Sequence, residues 1–449
     1  ISIAVTSKGT VTGPGTIGIS PIAGQGDGAI VFGNAGSIGA VDKAGAVTDS
    51  VGVVLNGSSA KADNTLTATN SGLVTGGFSA TGFGGTVSLD NSGTIHNGVI
   101  LAGKSDVKIA STGAVRSGNV VVAAVETTKS TVSGDTTTDV TAGGNATGTV
   151  GDVASADGKT KGNVTFFGQS GNADGTVTGA AGTVLAYSGG ASRTIQNTFV
   201  AAPPAGKTTI TNESNTTYAP GSAKLATTAK SKVDEVLGFA NGNVEIAVAG
   251  SVVNDVRASL LGNINSTNKT TVTLDGAGGL VEQVFASSTT SVAGNSKISV
   301  AEGASVGGNV NATASGDASV ENAGEVEGTL TANAGSGGVS SFEQTENFDG
   351  KGVRLSYVSK QVNAPVIGSA TVVIAETGSS GGSVLATATK DASVANGGSI
   401  GGSLTANAGT GNTRVIDQEL VYDSTGALVL SNVYEESNTR SKGNASVVV

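Results

Sequence analysis

Nucleophilic catalysis by a Ser-His-Asp triad would have to use His96, because it is the only histidine in the chain. In such a triad the histidine takes the proton from the serine. His96 directly follows Ile95 in a segment that reads as a turn between strands. A single histidine at a corner or on an outer face is ordinarily solvated. We therefore assign it no catalytic role.

Polysaccharide cleavage would require paired carboxylates, or carboxylates that hold Ca²⁺ beside a basic residue. The acidic residues show no recurrent spacing that would align them: Asp90, Asp106, Asp234, Glu235, Asp255, Asp275, Glu302, Glu321, Glu325 and Glu327. Sugar subsites also favour aromatic platforms, and aromatic residues make up only 3% of the chain. We predict a protein that is not an enzyme, with a polysaccharide lyase or hydrolase as the alternative.

No cofactor or metal site is predicted. The chain has no cysteine, which removes disulfides and thiolate ligands. The segment Gly24-Gln-Gly-Asp-Gly28 resembles a turn rather than a metal loop or a phosphate cradle, because no strand-to-helix pattern surrounds it. Tandem Gly-Gly-x-Gly-x-Asp repeats, which bind calcium in other proteins, are absent from the sequence.

The composition excludes several classes of partner and of fold. There are 24 basic and 34 acidic residues, a net charge of −10, which argues against nucleic acid as a partner. The 71 glycines and the low aromatic content favour thin β-structure built from small and β-branched residues. Because only 13% of residues are charged, the low complexity indicates repetition rather than disorder.

A five-residue core with the pattern Asn/Ser-x-Gly-x-Ile/Val recurs along the chain. The first and third residues of the six cores are Asn34 and Gly36, Asn70 and Gly72, Asn91 and Gly93, Ser111 and Gly113, Asn322 and Gly324, and Asn396 and Gly398. We predict that each core is a corner between strands, in which the glycine supplies a positive φ. The asparagines tolerate the left-handed conformation and can bond along a ladder of equivalent positions.

Apolar residues alternate on both sides of these cores, as in Val87 and Leu89 before Asn91. Period two on both flanks of a turn indicates strand, turn, strand. The cores at Asn70, Asn91 and Ser111 are 21 and 20 residues apart, about one turn of a three-sided β-coil. We predict an all-β chain, a right-handed parallel β-helix or solenoid with rungs of about 20 residues.

A longer duplication relates residues 293–338 to 367–412, with an offset of 74. After each copy come two alternating runs around a glycine-containing turn, which predict β-hairpin inserts at 339–366 and 413–449. These inserts hold Phe342, Phe348, Tyr357, Tyr422 and Tyr434. The aromatics either form an interaction surface or cover bare coil.

The repeat pattern breaks at 193–242, which contains Pro203, Pro204 and Pro220. We predict an irregular insert there, with a short amphipathic helix at about 222–240. The predicted organisation is therefore rungs at 1–192, the irregular insert at 193–242, rungs at 243–338 and 367–412, and the two hairpin inserts, the second followed by a further rung.

The cores NAGSI and NSGTI, the short rungs, the absence of cysteine and the scarcity of aromatics resemble autotransporter passengers and filamentous-haemagglutinin-like β-helical exoproteins of Gram-negative bacteria. The resemblance implies an exported chain at the cell surface, associated with the outer membrane. It implies a role in adhesion, aggregation or biofilm attachment. Expected partners are a host or neighbouring cell surface, extracellular polysaccharide, or the protein itself. A surface fibre assembled end to end is the alternative structural role.

Overall fold

The chain is all-β, and most of its sheets are parallel. The computed structural model describes residues 2–13, 15–19, 29–57, 65–82, 84–125, 127–133, 136–155, 159–201 and 207–449. These residues form strands and turns, with no helix among them. The predicted fold class is confirmed to this extent.

One sheet has 14 parallel strands, which we call the A strands. They are Ser2–Val5, Ile30–Asn34, Leu66–Asn70, Val87–Asn91, Val107–Ser111, Ala146–Val150, Ala173–Val177, Ala223–Thr227, Val244–Val248, Ser296–Val300, Ala318–Asn322, Ala370–Ile374, Ala392–Asn396 and Ala445–Val448. Each strand pairs with the next in this order, so that Val87, for example, lies between Leu66 and Val107.

Two further series of parallel strands alternate with the A strands along the chain. The short B strands are Thr10–Val11, Ser37–Ile38, Leu73–Val74, Thr94–His96, Ala114–Arg116, Ser251–Val252, Ser305–Val306, Glu325–Val326, Ser379–Ser380 and Ser399–Ile400. The C strands are Gly15–Ile19, Val51–Asn56, Phe78–Gly82, Val99–Gly103, Val120–Ala124, Val164–Gly168, Val256–Leu260, Val310–Thr313, Leu330–Asn333, Val384–Thr387 and Leu404–Asn407. Two long strands, Ala180–Ser188 and Lys232–Ala240, span both series; Lys232–Ala240 pairs with a B and a C strand. The chain thus runs repeatedly through A, B and C. We call one A strand, together with the B and C strands that follow it, a pass.

A separate sheet of ten antiparallel strands, the hairpin sheet, is made of five hairpins. They are Thr127–Ser133 with Thr136–Ala142, Gly190–Ala201 with Thr208–Ala219, Ile264–Leu274 with Leu280–Ser291, Gly338–Phe348 with Arg354–Pro365, and Asn412–Tyr422 with Leu428–Arg440. A small hairpin of Ala40–Val41 and Val47–Asp49 lies outside this sheet. The sequence had indicated only the last two of the five.

Every hairpin of this sheet is inserted between a C strand and the following A strand, and only on alternate passes. Passes that begin at Val107, Ala173, Val244, Ala318 and Ala392 carry one, whereas those that begin at Ala146, Ala223, Ser296 and Ala370 do not. Neighbouring strands lie about 4.8 Å apart in any sheet, so one two-stranded hairpin occupies the width of two passes. The alternation therefore lets the hairpin sheet and the A sheet advance together. It also explains the 74-residue period, which is two passes plus one hairpin.

The core is a continuous stripe of inward-facing residues between the A, B and C strands. The alternating residues identified in the sequence, such as Val87, Leu89, Val107 and Ile109, are buried as predicted. Most core side chains are Val, Ala, Ile or Leu, and Phe32 and Phe166 are the largest that are fully buried. Small β-branched residues suit this interior because strands on three sides leave little width between them.

The corner glycines have a different role from the predicted one. Gly36, Gly72, Gly93, Gly113, Gly324 and Gly398 all have φ outside the left-handed region. A Cβ on Gly72 would collide with the carbonyl oxygen of Gly36, and one on Gly93 with that of Gly72. Glycine is needed because successive passes approach closely at this corner, not because the turn requires a positive φ. The corner asparagines do not adopt the left-handed backbone conformation either. Among the described non-glycine residues, Asn97 and Ser117 are the ones with positive φ.

The predicted asparagine ladder is present in the first passes. Asn34 Nδ2 donates to Asn70 Oδ1 at 2.8 Å, Asn70 Nδ2 to Asn91 Oδ1 at 2.7 Å, and Asn91 Nδ2 to Ser111 Oγ at 3.0 Å. All four side chains are buried. In later passes the amides of Asn322 and Asn396 donate to backbone carbonyls instead, of Ser379 and Gly398.

The predicted helix at 222–240 is wrong, because that segment forms the strands Ala223–Thr227 and Lys232–Ala240. Its apolar residues imitate helical spacing only because a turn separates two period-two runs; Ala223, Leu225, Val233 and Val236 all point into the core. The preceding part of the predicted irregular insert is the hairpin Gly190–Ala201 with Thr208–Ala219. Pro203 and Pro204, like Gly24–Gly28, lie outside the described residues.

Candidate interaction surfaces

The hairpin sheet has two chemically distinct faces, because alternate residues of each strand point to opposite sides. Directly paired residues share a face, which assigns the two sides from the register. One side, the amide face, carries Gln283, Gln344, Gln361 and Gln418 together with Phe285 and Phe342. The other, the charged face, carries the cross-strand series Glu343, Lys360, Asp417 and Tyr434.

Three of the five predicted hairpin aromatics are associated with the amide face. Phe342 packs against Phe285, with ring centroids 6.0 Å apart and planes at 50°. Nearer the hairpin tips the Arg354 guanidinium lies 5.8 Å from the Tyr357 ring centroid and 5.9 Å from that of Tyr422. Such cation–π contacts hold both rings in place.

Arg354 is also held by an ion pair with Glu346, whose carboxylate is 2.7 Å from the guanidinium. Glu346 is only 7% exposed. The Arg354 side chain is 43% exposed, so the buried carboxylate anchors a guanidinium that faces solvent, by a charge-assisted hydrogen bond. The result is a fixed cluster of one acid, one base and two tyrosines, which we call the Arg354 cluster.

The other two predicted aromatics are elsewhere. Phe348 ends its strand and pairs with Arg354 at the start of the returning strand. Tyr434 pairs with Asp417 on the charged face and is 63% exposed. There it lines a shallow depression of about 480 Å³ with Glu343, Lys360 and Glu419.

Three tips of the hairpin sheet share a turn that the sequence analysis missed, with the pattern Asp-x-x-Gly-x. It occurs at Asp275, Asp349 and Asp423, and in the small hairpin at Asp42. In the Asp349 turn, Oδ1 accepts hydrogen bonds from the backbone N–H of Lys351 at 2.7 Å and of Val353 at 3.1 Å. Gly352 has a φ of 93°, a conformation that favours glycine.

These hydrogen bonds stabilise the ionised carboxylate. The backbone N–H of Lys351 is the main cause that lowers the pKa of Asp349 from its ordinary value of 3.8. For Asp423 the hydroxyl of Thr425 is the main cause that lowers the pKa. Both aspartates are fully exposed, so their charge is used to close a turn rather than to perform chemistry.

His96 pairs with Arg116 of the next pass. Burial, followed by the charge of Arg116, lowers the pKa of His96. Both side chains line a depression of about 900 Å³ that is shared with the small hairpin, and none of the described residues that line it is acidic. Among these described residues, His96 therefore has no carboxylate to orient it as the base of a triad.

Many acidic residues noted in the sequence serve local structure. Asp106 and Asp255 each accept the backbone N–H of an asparagine in the next pass, Asp234 pairs with Lys161, and Glu321 pairs with Lys297. Within the described residues no group of three or more acidic or histidine side chains is placed to hold a metal ion. The carboxylates are therefore spread along the chain rather than collected in one site.

The parallel A, B and C strands, which together we call the coil, also carry a group of aromatic side chains that the sequence analysis did not predict. Phe167 and Tyr187 occupy paired positions on neighbouring strands, and their rings stack with centroids 5.2 Å apart and planes at 13°. Phe239 pairs with Tyr187 on the following strand. All three are partly exposed, and Arg257 lies 5.8 Å from the Phe239 ring centroid. They are about 20 and 50 residues apart in sequence, so only the strand register brings them together.

The fold and these surfaces define an all-β protein of mostly parallel sheets that carries an antiparallel sheet beside them. No protein-family model matches the chain, and neither a curated protein nor a solved structure matches it significantly. In the part of the chain that the structure describes, there is no helix long and apolar enough to cross a membrane.

Proposed function

We propose that the parallel passes form a right-handed parallel β-helix, and that this coil is a non-enzymatic stalk at a bacterial cell surface that displays the hairpin sheet for adhesion, aggregation or biofilm attachment. Parallel crossovers are right-handed in nearly all proteins, which supports the handedness. The resemblance of the corner repeats to autotransporter passengers and haemagglutinin-like exoproteins supports the export and the location.

The observation that carries the proposal is the hairpin sheet. Five hairpins, inserted at one corner of the coil on alternate passes, join into a single ten-stranded sheet. Its strands run up to 13 residues, far longer than the connections of three or four residues that the intervening passes use, such as residues 169–172. A coil does not need this sheet to close its own core, so the sheet is the part available for recognition.

The amide face is the side we assign to binding. The Arg354 cluster presents two tyrosines that are fixed by a guanidinium, and fixed aromatic side chains contribute much of the binding energy at protein surfaces. The surrounding glutamines supply both donors and acceptors. The partner is another cell surface, its extracellular polysaccharide, or a second copy of the protein.

The test replaces one hairpin by a connection that the chain already uses. Residues 334–369 are exchanged for Ala-Thr-Lys-Asp, the sequence that links Thr387 to Ala392 in the next pass. We expect the β-sheet circular dichroism to persist, because the coil is stabilised pass by pass. Beads coated with the variant should lose the cell attachment and clumping that beads coated with the unchanged protein display.

A matched pair of point variants assigns the face. Tyr357→Ala and Tyr422→Ala should weaken attachment, whereas Tyr434→Ala, on the opposite face, should not. Undiminished attachment after the hairpin exchange would contradict the proposal. Regular filaments of the purified protein in electron micrographs would favour a fibre subunit, and release of reducing ends from a polysaccharide would favour an enzyme.

A further inference from the structure

We propose that the outer face of the C strands binds an extended, uncharged polysaccharide that runs along the coil. This site lies on the C strands, and it does not depend on the function proposed for the hairpin sheet. The starting point is the row of Phe167, Tyr187 and Phe239, three paired outward positions on successive strands.

The same row continues with hydrogen-bonding side chains. After the buried Ser259, the paired positions are Thr313, Asn333, Thr387 and Asn407. These four are partly or fully exposed. A face that begins with stacked rings and continues with hydroxyl and amide groups matches a sugar chain, which offers apolar C–H faces and polar hydroxyl edges.

The charge of this face selects among ligands. The neighbouring outward row carries Thr165, Leu185, Leu237, Arg257, Asn311, Thr331, Leu385 and Thr405. Arg257 is the only charged residue in the two rows, in a chain with 34 acidic residues. A nucleic acid or a strongly anionic polysaccharide requires clustered basic groups, and a protein partner or lipid would favour a more apolar row. The chemistry favours a neutral glycan.

The length of the row favours a polymer over a small sugar. Eight successive strands contribute, and at about 4.8 Å between strands they extend over roughly 34 Å. Because the strands are paired in register, the contacts repeat at a constant spacing. A short sugar would use only a fraction of them.

Affinity electrophoresis of the whole protein tests the site. Native gels contain hydroxyethyl cellulose or galactomannan as neutral polysaccharides, and polygalacturonate as the anionic counterpart. We expect retardation in at least one neutral gel and none in polygalacturonate. Tyr187→Ala and Phe239→Ala should each weaken binding by roughly 3-fold to 10-fold, the effect of losing one aromatic contact.

Two control variants separate binding from folding and from the hairpin sheet. Tyr187→Phe keeps the stack on Phe167 and should bind as the unchanged protein does. Tyr434→Ala removes an exposed aromatic ring from the charged face of the hairpin sheet and should leave the retardation intact. Absence of retardation in both neutral gels, retardation by polygalacturonate, or equal weakening by Tyr434→Ala would each overturn the proposal.

Discussion

The coil and the hairpin sheet are both built from β-strands but are stabilised in different ways. The coil buries alternate residues almost completely, as at Val99, Leu101 and Val122. In the hairpin sheet most side chains on both faces are partly exposed, and Glu346 and Ser359 are among the few that are buried. One region has an inside, and the other has two surfaces.

The comparison explains why the two regions tolerate different changes. In a stacked coil each pass is fixed by its two neighbours, so a local error is confined between bonded layers. In a free sheet a side chain can move into solvent when a neighbour changes. Substitutions that change binding specificity should therefore reduce folding stability less in the hairpin sheet than substitutions in the coil interior do.

The largest effect is expected from the glycine stack of the coil. In Gly72→Ala the new methyl group would collide with the carbonyl oxygen of Gly36. Because parallel strands on both sides hold this corner, the clash cannot relax freely. We expect the free energy of unfolding to fall by about 1–3 kcal/mol. Urea unfolding followed by circular dichroism measures the loss, and amide exchange at Leu73 and Thr94 locates it.

The matched control is Gly18→Ala. Nothing lies within 4 Å of a Cβ at Gly18, and its substitution should change stability little or raise it slightly by restricting the unfolded chain. Equal midpoints for the two variants would mean that close approach is not the reason for glycine at the corner.

A smaller loss is expected from the asparagine ladder. Asn91→Ala removes the acceptor of Asn70 and the donor to Ser111, leaving buried polar groups unsatisfied at a cost of about 1–3 kcal/mol. Asn396→Ala is the comparison, because Asn396 is partly exposed and bonds only to Gly398 within its own corner. Thermal and urea unfolding should rank Asn91→Ala as the more destabilised variant. The reverse order would show that the ladder does not stabilise the coil.

The parallel strands were predictable from the sequence because their inward positions and corners repeat along the chain. Inward residues such as Val107 and Ile109 and the ladder asparagines follow from a period of two and a spacing near 20. The reason predicted for glycine at the corners, a positive φ instead of the close approach of successive passes, was wrong. A close approach between passes depends on the axial stacking of Gly36, Gly72 and Gly93, which no local pattern encodes.

The hairpin sheet was only partly predictable for a physical reason. Its strands have little buried surface, so threonine, serine and asparagine replace the alternating apolar residues that would mark them, as in Thr208–Ala219. The 74-residue duplication revealed the last two hairpins, whereas the earlier three have no such copy. The aromatic row of Phe167, Tyr187 and Phe239 was missed because it arises from strand register between distant segments.

The smallest effect concerns the hairpin tips and their dependence on pH. The lowered pKa of Asp349 means that its carboxylate favours the folded turn, so this stabilisation is present above the ordinary pKa of 3.8 and is lost as the pH falls through the lower folded value. Carboxyl carbon and backbone amide NMR shifts should show Asp349 titrating below 3.8 together with the amides of Lys351 and Val353. Asp349→Asn should abolish this response at its own tip and leave the Asp423 tip titrating. The amide of Gly36 in the asparagine ladder should not respond in either protein, because it donates to the neutral side chain of Asn34; a change at Gly36 in step with the tips would mean that the tips and the coil unfold as one unit.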